Sequence, residues 1–231
     1  LAHGSTPTQE TEFSNDFEFS LEVQRLLEGL KANFSAMRFE PVAEPRDERY
    51  PFSFNTGRLR DQWHGMSRTG TLGRLFGHVA EPCVELNPQD MSRLGLQAGD
   101  LVQLTSRRGQ LIAPAQPSEA IGPMQTYMAM HWGQEYLSGI APAGDAIAGV
   151  NALTSPAFCP TSKQPELKHA AVRITSPQLP WRMVAVAWLP ETQALAAREA
   201  LKPLMAAFAF TSCVPFGREP HEYGKVGVLF R

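Results

Sequence analysis

Cysteine is scarce and scattered. Cys83, Cys159 and Cys213 are the three in the chain, and with no Cys-x-x-Cys pair neighbouring thiols assemble neither a disulfide framework nor a zinc or iron-sulfur site. Such sparing use fits a reducing, cytoplasmic setting. Long apolar runs are missing too: no segment approaches the roughly 20 uninterrupted apolar residues of a membrane span. The opening Leu1-Ala2-His3-Gly4-Ser5 has neither the basic nor the apolar region of a signal peptide. Charge of one sign is also lacking. Lys and Arg total 21 against 23 Asp and Glu, a net charge of −2, which removes the electrostatic term that dominates non-specific nucleic-acid binding. The common catalytic signatures are absent as well: no phosphate-binding glycine loop with lysine, no dinucleotide fingerprint, no Gly-x-Ser-x-Gly elbow and no His-Glu-x-x-His helix. Cys213 and His221 form at best a chance thiol-imidazole pair in a Pro/Gly-rich loop, and Cys commonly serves as a small buried hydrophobe.

What is present is a globular chain. With 231 residues, 43% of them hydrophobic, it can bury one sizeable core, or one core and a small satellite. A start at Leu rather than Met is expected of a piece of a longer polypeptide.

Three segments are expected. Residues 1–40 are rich in Ser, Thr, Glu and Asn, with Phe13, Phe17 and Phe19 near a short helical candidate, Ser20 to Leu30, and read as peripheral. Residues 41–175 form the main domain, entered through a Pro- and charge-rich loop and a first strand at Tyr50 to Phe54. Pro82 to Leu86 reads as a strand, followed by a helix start with Asn87 as cap, Pro88 at the first position and Gly95 as terminator. Leu101 to Thr105 and Gln110 to Gln116 form a hairpin whose tip, Ser106-Arg107-Arg108-Gly109, reads as solvated rather than as a phosphate clamp. Met124 to Met130 and Ala170 to Ile174 are further strands, with a Gly/Ala/Pro-rich loop between them. Short strands and long connections argue for a mainly β barrel. Residues 176–231 are a small α+β appendage: a strand at Met183 to Leu189, a helix over Glu191 to Phe208 that Pro203 should kink or split, and strands at Phe210 to Val214 and Val226 to Phe230.

The unusual segment is Asn55-Thr56-Gly57-Arg58-Leu59-Arg60-Asp61-Gln62-Trp63-His64-Gly65-Met66-Ser67-Arg68-Thr69-Gly70. A loop with guanidiniums, an indole, an imidazole and amide donors suits a planar polar heterocycle carrying phosphates: Arg and backbone N–H groups match pyrophosphate, and Trp stacks. The competing reading makes Trp63 and Met66 core and the arginines solvated; composition alone leaves both open. His131-Trp132 at a strand end, Asn151 and Lys168 are each ordinary taken singly and suggestive only as a set.

Together these residues resemble the C-terminal molybdopterin-dinucleotide-binding domain of the dimethyl sulfoxide reductase family of molybdenum oxidoreductases, in particular the catalytic subunit of bacterial assimilatory nitrate reductase. The resemblance is carried by Tyr50-Pro51-Phe52 through Arg58, Asp61-Gln62-Trp63-His64, Met66 to Gly70, Glu81-Pro82, Val84-Glu85, Leu94-Gly95-Leu96, Gly99 to Val102, Ser106 to Gly109, Met130-His131-Trp132, Asn151 to Thr154, Pro160, Ser162 and Gln164-Pro165-Glu166-Leu167-Lys168. It covers residues 31 to 175; the appendage matches more loosely.

The resemblance implies a double-psi β-barrel over one side of a bis-molybdopterin guanine dinucleotide cofactor with molybdenum. Thr56, Gly57, Arg58, Gln62, Trp63, His64 and Ser67 would line the cofactor, and His131, Asn151 and Lys168 would reach it from later loops. It implies a cytoplasmic, iron-sulfur-containing parent oxidoreductase of nitrate assimilation that reduces nitrate to nitrite by oxygen-atom transfer. The 4Fe-4S cluster and the protein ligand to molybdenum would lie outside this chain, which would hold no catalytic or metal-ligating residue and be inactive alone. Its partners would be the remaining domains of the parent subunit, with neither nucleic acid nor membrane; the electron donor is left open. The same domain in a formate dehydrogenase is an alternative, since the capping domain does not choose the substrate. A stand-alone double-psi binding module is another, because fold alone does not fix function.

Overall fold

The computed structural model describes Gly29 and residues 39–231, apart from 71, 77, 141–143, 148, 167 and 217–224 and the side chains of 74 and 216. The candidate helix at Ser20 to Leu30 (Gly29 apart), the three N-terminal phenylalanines and His221 therefore lie outside the described residues. Leu1–Glu40 and Pro41–Arg231 are separate compact units, and every element named below belongs to the second.

Six strands close a barrel in the order β1-β5-β2-β4-β3-β7: β1 (Phe52–Gly57), β2 (Val84–Leu86), β3 (Leu101–Thr105), β4 (Gln110–Pro117), β5 (Gln125–Ala129) and β7 (Ala170–Thr175). Two pairs are parallel, β1 with β5 and β2 with β4, and the other four contacts are antiparallel. This is the double-psi arrangement. Alternation drives it: Phe52, Phe54, Val102, Leu104, Met128, Val172 and Ile174 point into one core. Each such side chain taken from water stabilises by about 1.5–3 kcal/mol.

The helix after β2, α1 (Pro88–Leu94), begins and ends where its caps dictate. Asn87 accepts a bond from the Gln89 N–H at 2.9 Å, and Gly95 takes the left-handed conformation at φ 67°. Asp90, wholly buried, accepts the Met124 N–H at 2.6 Å and so fixes the entry to β5.

Strand β1 starts two residues later than Tyr50 and runs three beyond Phe54. Asn55, Thr56 and Gly57 are strand, not loop, because β5 pairs with them in parallel as far as Gly57 opposite Ala129. The hairpin tip is not simply solvated either. Arg108 donates to Glu44 (2.7 Å for one contact), and Arg107 pairs with Asp47 and lies 4.9 Å over the Tyr50 ring. The Pro-rich entry loop is thereby tied to the barrel.

A second sheet, ordered β6-β9-β10-β8, is formed by β6 (Leu137–Ser138), β8 (Ala185–Pro190), β9 (Thr211–Phe216) and β10 (Lys225–Phe230). β6 was not expected. It lies in the connection from β5 to β7 and pairs Leu137 with Ser212, so the barrel segment lends a strand to the appendage sheet. The helix α2 (Glu191–Met205) packs Ala194 and Met205 against Cys213, Val228 and Phe230. Pro203 does not split it, since a proline there costs one bond in the last turn, but the helix stops two residues later at Met205, 1% exposed, short of the expected Phe208. At the C-terminus Arg231 bonds Glu81 at 2.8 Å and the Gly99 carbonyl at 2.6 Å. The apolar stretch at 183–188 is exposed, although such a run reads as buried.

Candidate cofactor site

The segment leaving β1 is irregular, yet three side chains hold it. His131, which follows β5, is 1% exposed. Its Nε2 accepts the Leu59 N–H at 2.9 Å while Nδ1–H donates to the His64 carbonyl. The first contact requires an unprotonated Nε2, so the ring is neutral and its tautomer fixed. Burial holds its pKa below the ordinary 6.5, and the nearby Arg58 charge pushes the same way. Gln62 is also buried: its Nε2 donates to the Leu75 carbonyl at 3.1 Å and its Oε1 accepts the Thr69 hydroxyl at 2.5 Å. Met66, 2% exposed with φ 58°, drives its side chain into the core, and its carbonyl accepts the Thr69 and Gly70 N–H groups.

With the loop held from beneath, its other side chains face out. Arg58, Trp63, His64, Ser67 and Arg68 are exposed. Trp63 meets His64 edge-on at 4.9 Å and carries the Arg68 guanidinium 5.2 Å over its ring. The two composition-based readings therefore split: Met66 is core, but Trp63, 45% exposed, is not.

A polar cavity of about 270 Å³ lies along the outward face of β1 and β5, lined by Ser53, Asn55, Gln125, Tyr127, Lys168 and His169 among others. The parallel register sets Ser53 beside Gln125 and Asn55 beside Tyr127. His169 donates from Nε2 to the Glu44 carbonyl and shares a hydrogen bond between Nδ1 and the Ser53 hydroxyl, both at 3.2 Å. Tyr127 covers Gly57 so closely that a Cβ there would lie 3.2 Å from its hydroxyl. Burial raises the Tyr127 pKa, with the Glu85 carboxylate adding to it, so the phenol stays protonated. Thr56 is buried, and its hydroxyl has no hydrogen-bond partner among the described residues.

The sequence-predicted residues thus fall into groups. Arg58, Trp63, His64 and Ser67 are each exposed, Trp63 and His64 in contact, and Thr56 and Gly57 end the strand that feeds the loop. Lys168 lines the cavity along β1 and β5. Gln62 and His131 are buried with their polar atoms engaged by the loop itself. Asn151 is exposed in a 3-10 turn, Val150–Ala152. Reading the sequence overlooked Ser53, Gln125, Tyr127 and His169; their alternation with apolar neighbours was visible, but not the parallel pairing that gathers them. Among the described residues no cluster of His, Cys, Asp and Glu is arranged to hold a metal ion.

Residues 52–171 match the molydopterin dinucleotide binding domain. The chain belongs to that family. The loop off β1 and five of the six barrel strands lie within the matched span, which ends at the second residue of β7. The chain is 36% identical to a nitrate reductase of Klebsiella oxytoca over 143 residues, which is 62% of this chain and 16% of that protein. It is 36% identical to a nitrate reductase of Symbiobacterium thermophilum over 146 residues, 62% of this chain and 18% of that one. Against the F420-dependent formate dehydrogenase subunit alpha of Methanocaldococcus jannaschii it is 34% identical over 138 residues, 60% of this chain and 19% of the subunit. The match therefore spans less than a fifth of these relatives' length.

Proposed function

We propose that this chain is the cofactor-capping domain of a cytoplasmic, molybdenum-dependent nitrate reductase that binds bis-molybdopterin guanine dinucleotide. The observation that carries the reading is the loop off β1, clamped by buried His131 and Gln62 while it offers Arg58, Trp63, His64 and Ser67 outward. A rigid backing with an open cationic and aromatic face is what a phosphorylated ring system needs. One residue in particular fits the group: Thr56 has a buried hydroxyl without a partner among the described residues.

Arg58 and Lys168 bind phosphate charge, Trp63 stacks on a ring, and the Thr56 hydroxyl completes a polar contact. Gln62 and His131 hold the loop, and Asn151 approaches from the 3-10 turn. The barrel excludes water from one side of the cofactor and orients it. When bound, the molybdenum centre supplies two-electron oxygen-atom transfer from nitrate. The 4Fe-4S cluster and the molybdenum ligand belong to the rest of the parent subunit, so the chain alone is inactive. The identity to a formate dehydrogenase subunit favours one second reading, the same domain in a formate-oxidising parent.

The test is molybdenum, pterin and guanine nucleotide analysis of the intact parent, with nitrate reduction and formate oxidation assayed side by side. Molybdenum and guanine nucleotide with nitrate turnover are expected. Absence of both overturns the proposal in favour of a stand-alone binding module, and formate turnover without nitrate turnover replaces the substrate.

A further inference from the structure

The appendage helix α2 places one charged side chain deep in the molecule. Arg198 is 5% exposed, and its Nε is buried with no hydrogen-bond partner among the described residues. It enters no ion pair among the described residues. Burying a guanidinium without a carboxylate is expensive, and an apolar side chain of similar volume would fill the space at less cost. Its NH1 donates to the Gly70 carbonyl, 3.1 Å away and 128 residues earlier, and the guanidinium is also in hydrogen-bonding reach of the Tyr136 hydroxyl and the Cys213 thiol. Its guanidinium also lies 5.2 Å over the Tyr136 ring.

Gly70 is where the loop off β1 ends, and it has no freedom there. A Cβ would fall 1.8 Å from the Tyr136 hydroxyl and 2.8 Å from the Met66 carbonyl, and its N–H is already bonded to that carbonyl at 2.7 Å. Tyr136 is locked to the appendage in turn, its carbonyl accepting the Cys213 N–H at 2.9 Å. Gly70 is thus held between Tyr136 on the barrel side and Arg198 on α2.

We propose that Arg198 is a positioning residue for the cofactor loop: α2 acts through it as a second clamp, fixing the Gly70 end as His131 fixes the Leu59 end. Its positive charge, lacking a carboxylate, also favours an anionic ligand on the loop's outer side. The value for affinity rests on the functional reading above; the clamp itself does not. Because binding and ordering are linked, a ligand on the loop also protects α2 from opening.

The experiment uses the 231-residue chain, with Arg198→Met, which keeps volume and drops the charge, and Arg198→Lys, which keeps charge and one donor. Amide hydrogen exchange is followed without ligand, and guanosine 5′-diphosphate binding by calorimetry. In Arg198→Met, amides of residues 59–70 exchange at least about tenfold faster while those of β3 and β4 are unchanged, and Arg198→Lys recovers part of the protection. Loop exchange at the wild-type rate in a folded Arg198→Met chain overturns the clamp. So does failure of both variants to fold, which makes Arg198 a general requirement of the core. If wild type binds the nucleotide, Arg198→Met binds it at least about tenfold more weakly, a loss of about 1.4 kcal/mol. If wild type does not bind it, the functional reading loses support while the exchange result still decides the clamp.

Discussion

Leu59 donates its backbone N–H to Nε2 of His131, 72 residues later in the chain, at 2.9 Å. The bond ties the loop off β1 to the end of the parallel strand β5 and exists only while that nitrogen is unprotonated. The His131 pKa lies below 6.5 in the fold, chiefly through burial, and returns to about 6.5 on unfolding. Between those two values the unfolded chain binds more protons than the folded one. Stability therefore falls as pH drops below about 6.5 and stops falling below the folded pKa, with a limiting slope near 1.4 kcal/mol per pH unit. Urea midpoints between pH 8 and pH 5 will show this, and His131→Gln will flatten that part of the profile relative to wild type. Parallel profiles for the two proteins would remove His131 from the account.

Gly70 gives the second prediction. With the Tyr136 hydroxyl 1.8 Å from the position of a Cβ, Gly70→Ala forces a movement that the surrounding rings resist, since Tyr136 sits against Phe76 at 6.0 Å and Trp132 at 5.9 Å. The expected loss is about 2–4 kcal/mol. Adding Tyr136→Phe recovers part of it, because the nearest ring atom is then the carbon at 3.1 Å. Urea denaturation of the single and double variants checks this; additive losses would place the strain at the Met66 carbonyl.

Much of this was legible in advance, and the exceptions have physical causes. The α1 caps at Asn87 and Gly95 are local signals, and the structure keeps both. The alternation of β3 is equally local, with Val102 and Leu104 inward. Where β1 ends was not legible, because Asn55, Thr56 and Gly57 are strand only through β5, some 70 residues away. The same non-local pairing hid Tyr127 and Gln125. Loop chemistry misled in one respect: Gln62 and His131 have the atoms of ligand-binding residues and spend them on the loop's own frame. Burial separates the two uses, and composition carries no burial. Pro203 was expected to kink or split its helix; it does not split it, since the lost bond lies in the final turn, and the helix ends two residues on.

The three cysteines differ in environment enough to be told apart by reactivity. Burial, helped by the Glu85 and Glu81 carboxylates, pushes the Cys83 thiol up to about 12, and burial likewise raises that of Cys213. Cys159 is exposed. Thiolate is the reacting form, so at pH 8 a disulfide reagent titrates one thiol quickly in the native chain and the other two only after unfolding. Fast reaction of two thiols would mean that the barrel opens near Cys83 or the appendage near Cys213. Cys159→Ser removes the fast phase and identifies it.

Arg58 follows the last residue of β1 and is exposed, so its guanidinium contributes nothing to the barrel core. Its truncation therefore separates cofactor binding from folding. In the intact parent enzyme, Arg58→Ala leaves thermal stability in the cofactor-free state within about 0.5 kcal/mol of wild type, as surface substitutions do. On the proposed role of Arg58, loss of a charge-assisted phosphate contact weakens binding by about 1.5–3 kcal/mol. Guanine nucleotide and molybdenum content per chain after purification should fall together, and Arg58→Lys should restore part of both, since a point charge keeps the attraction and loses the paired geometry. Because the cofactor stabilises only the folded form, the holoenzyme melting temperature falls with its occupancy. Equal losses of occupancy and of cofactor-free stability would place Arg58 in the scaffold instead of the site.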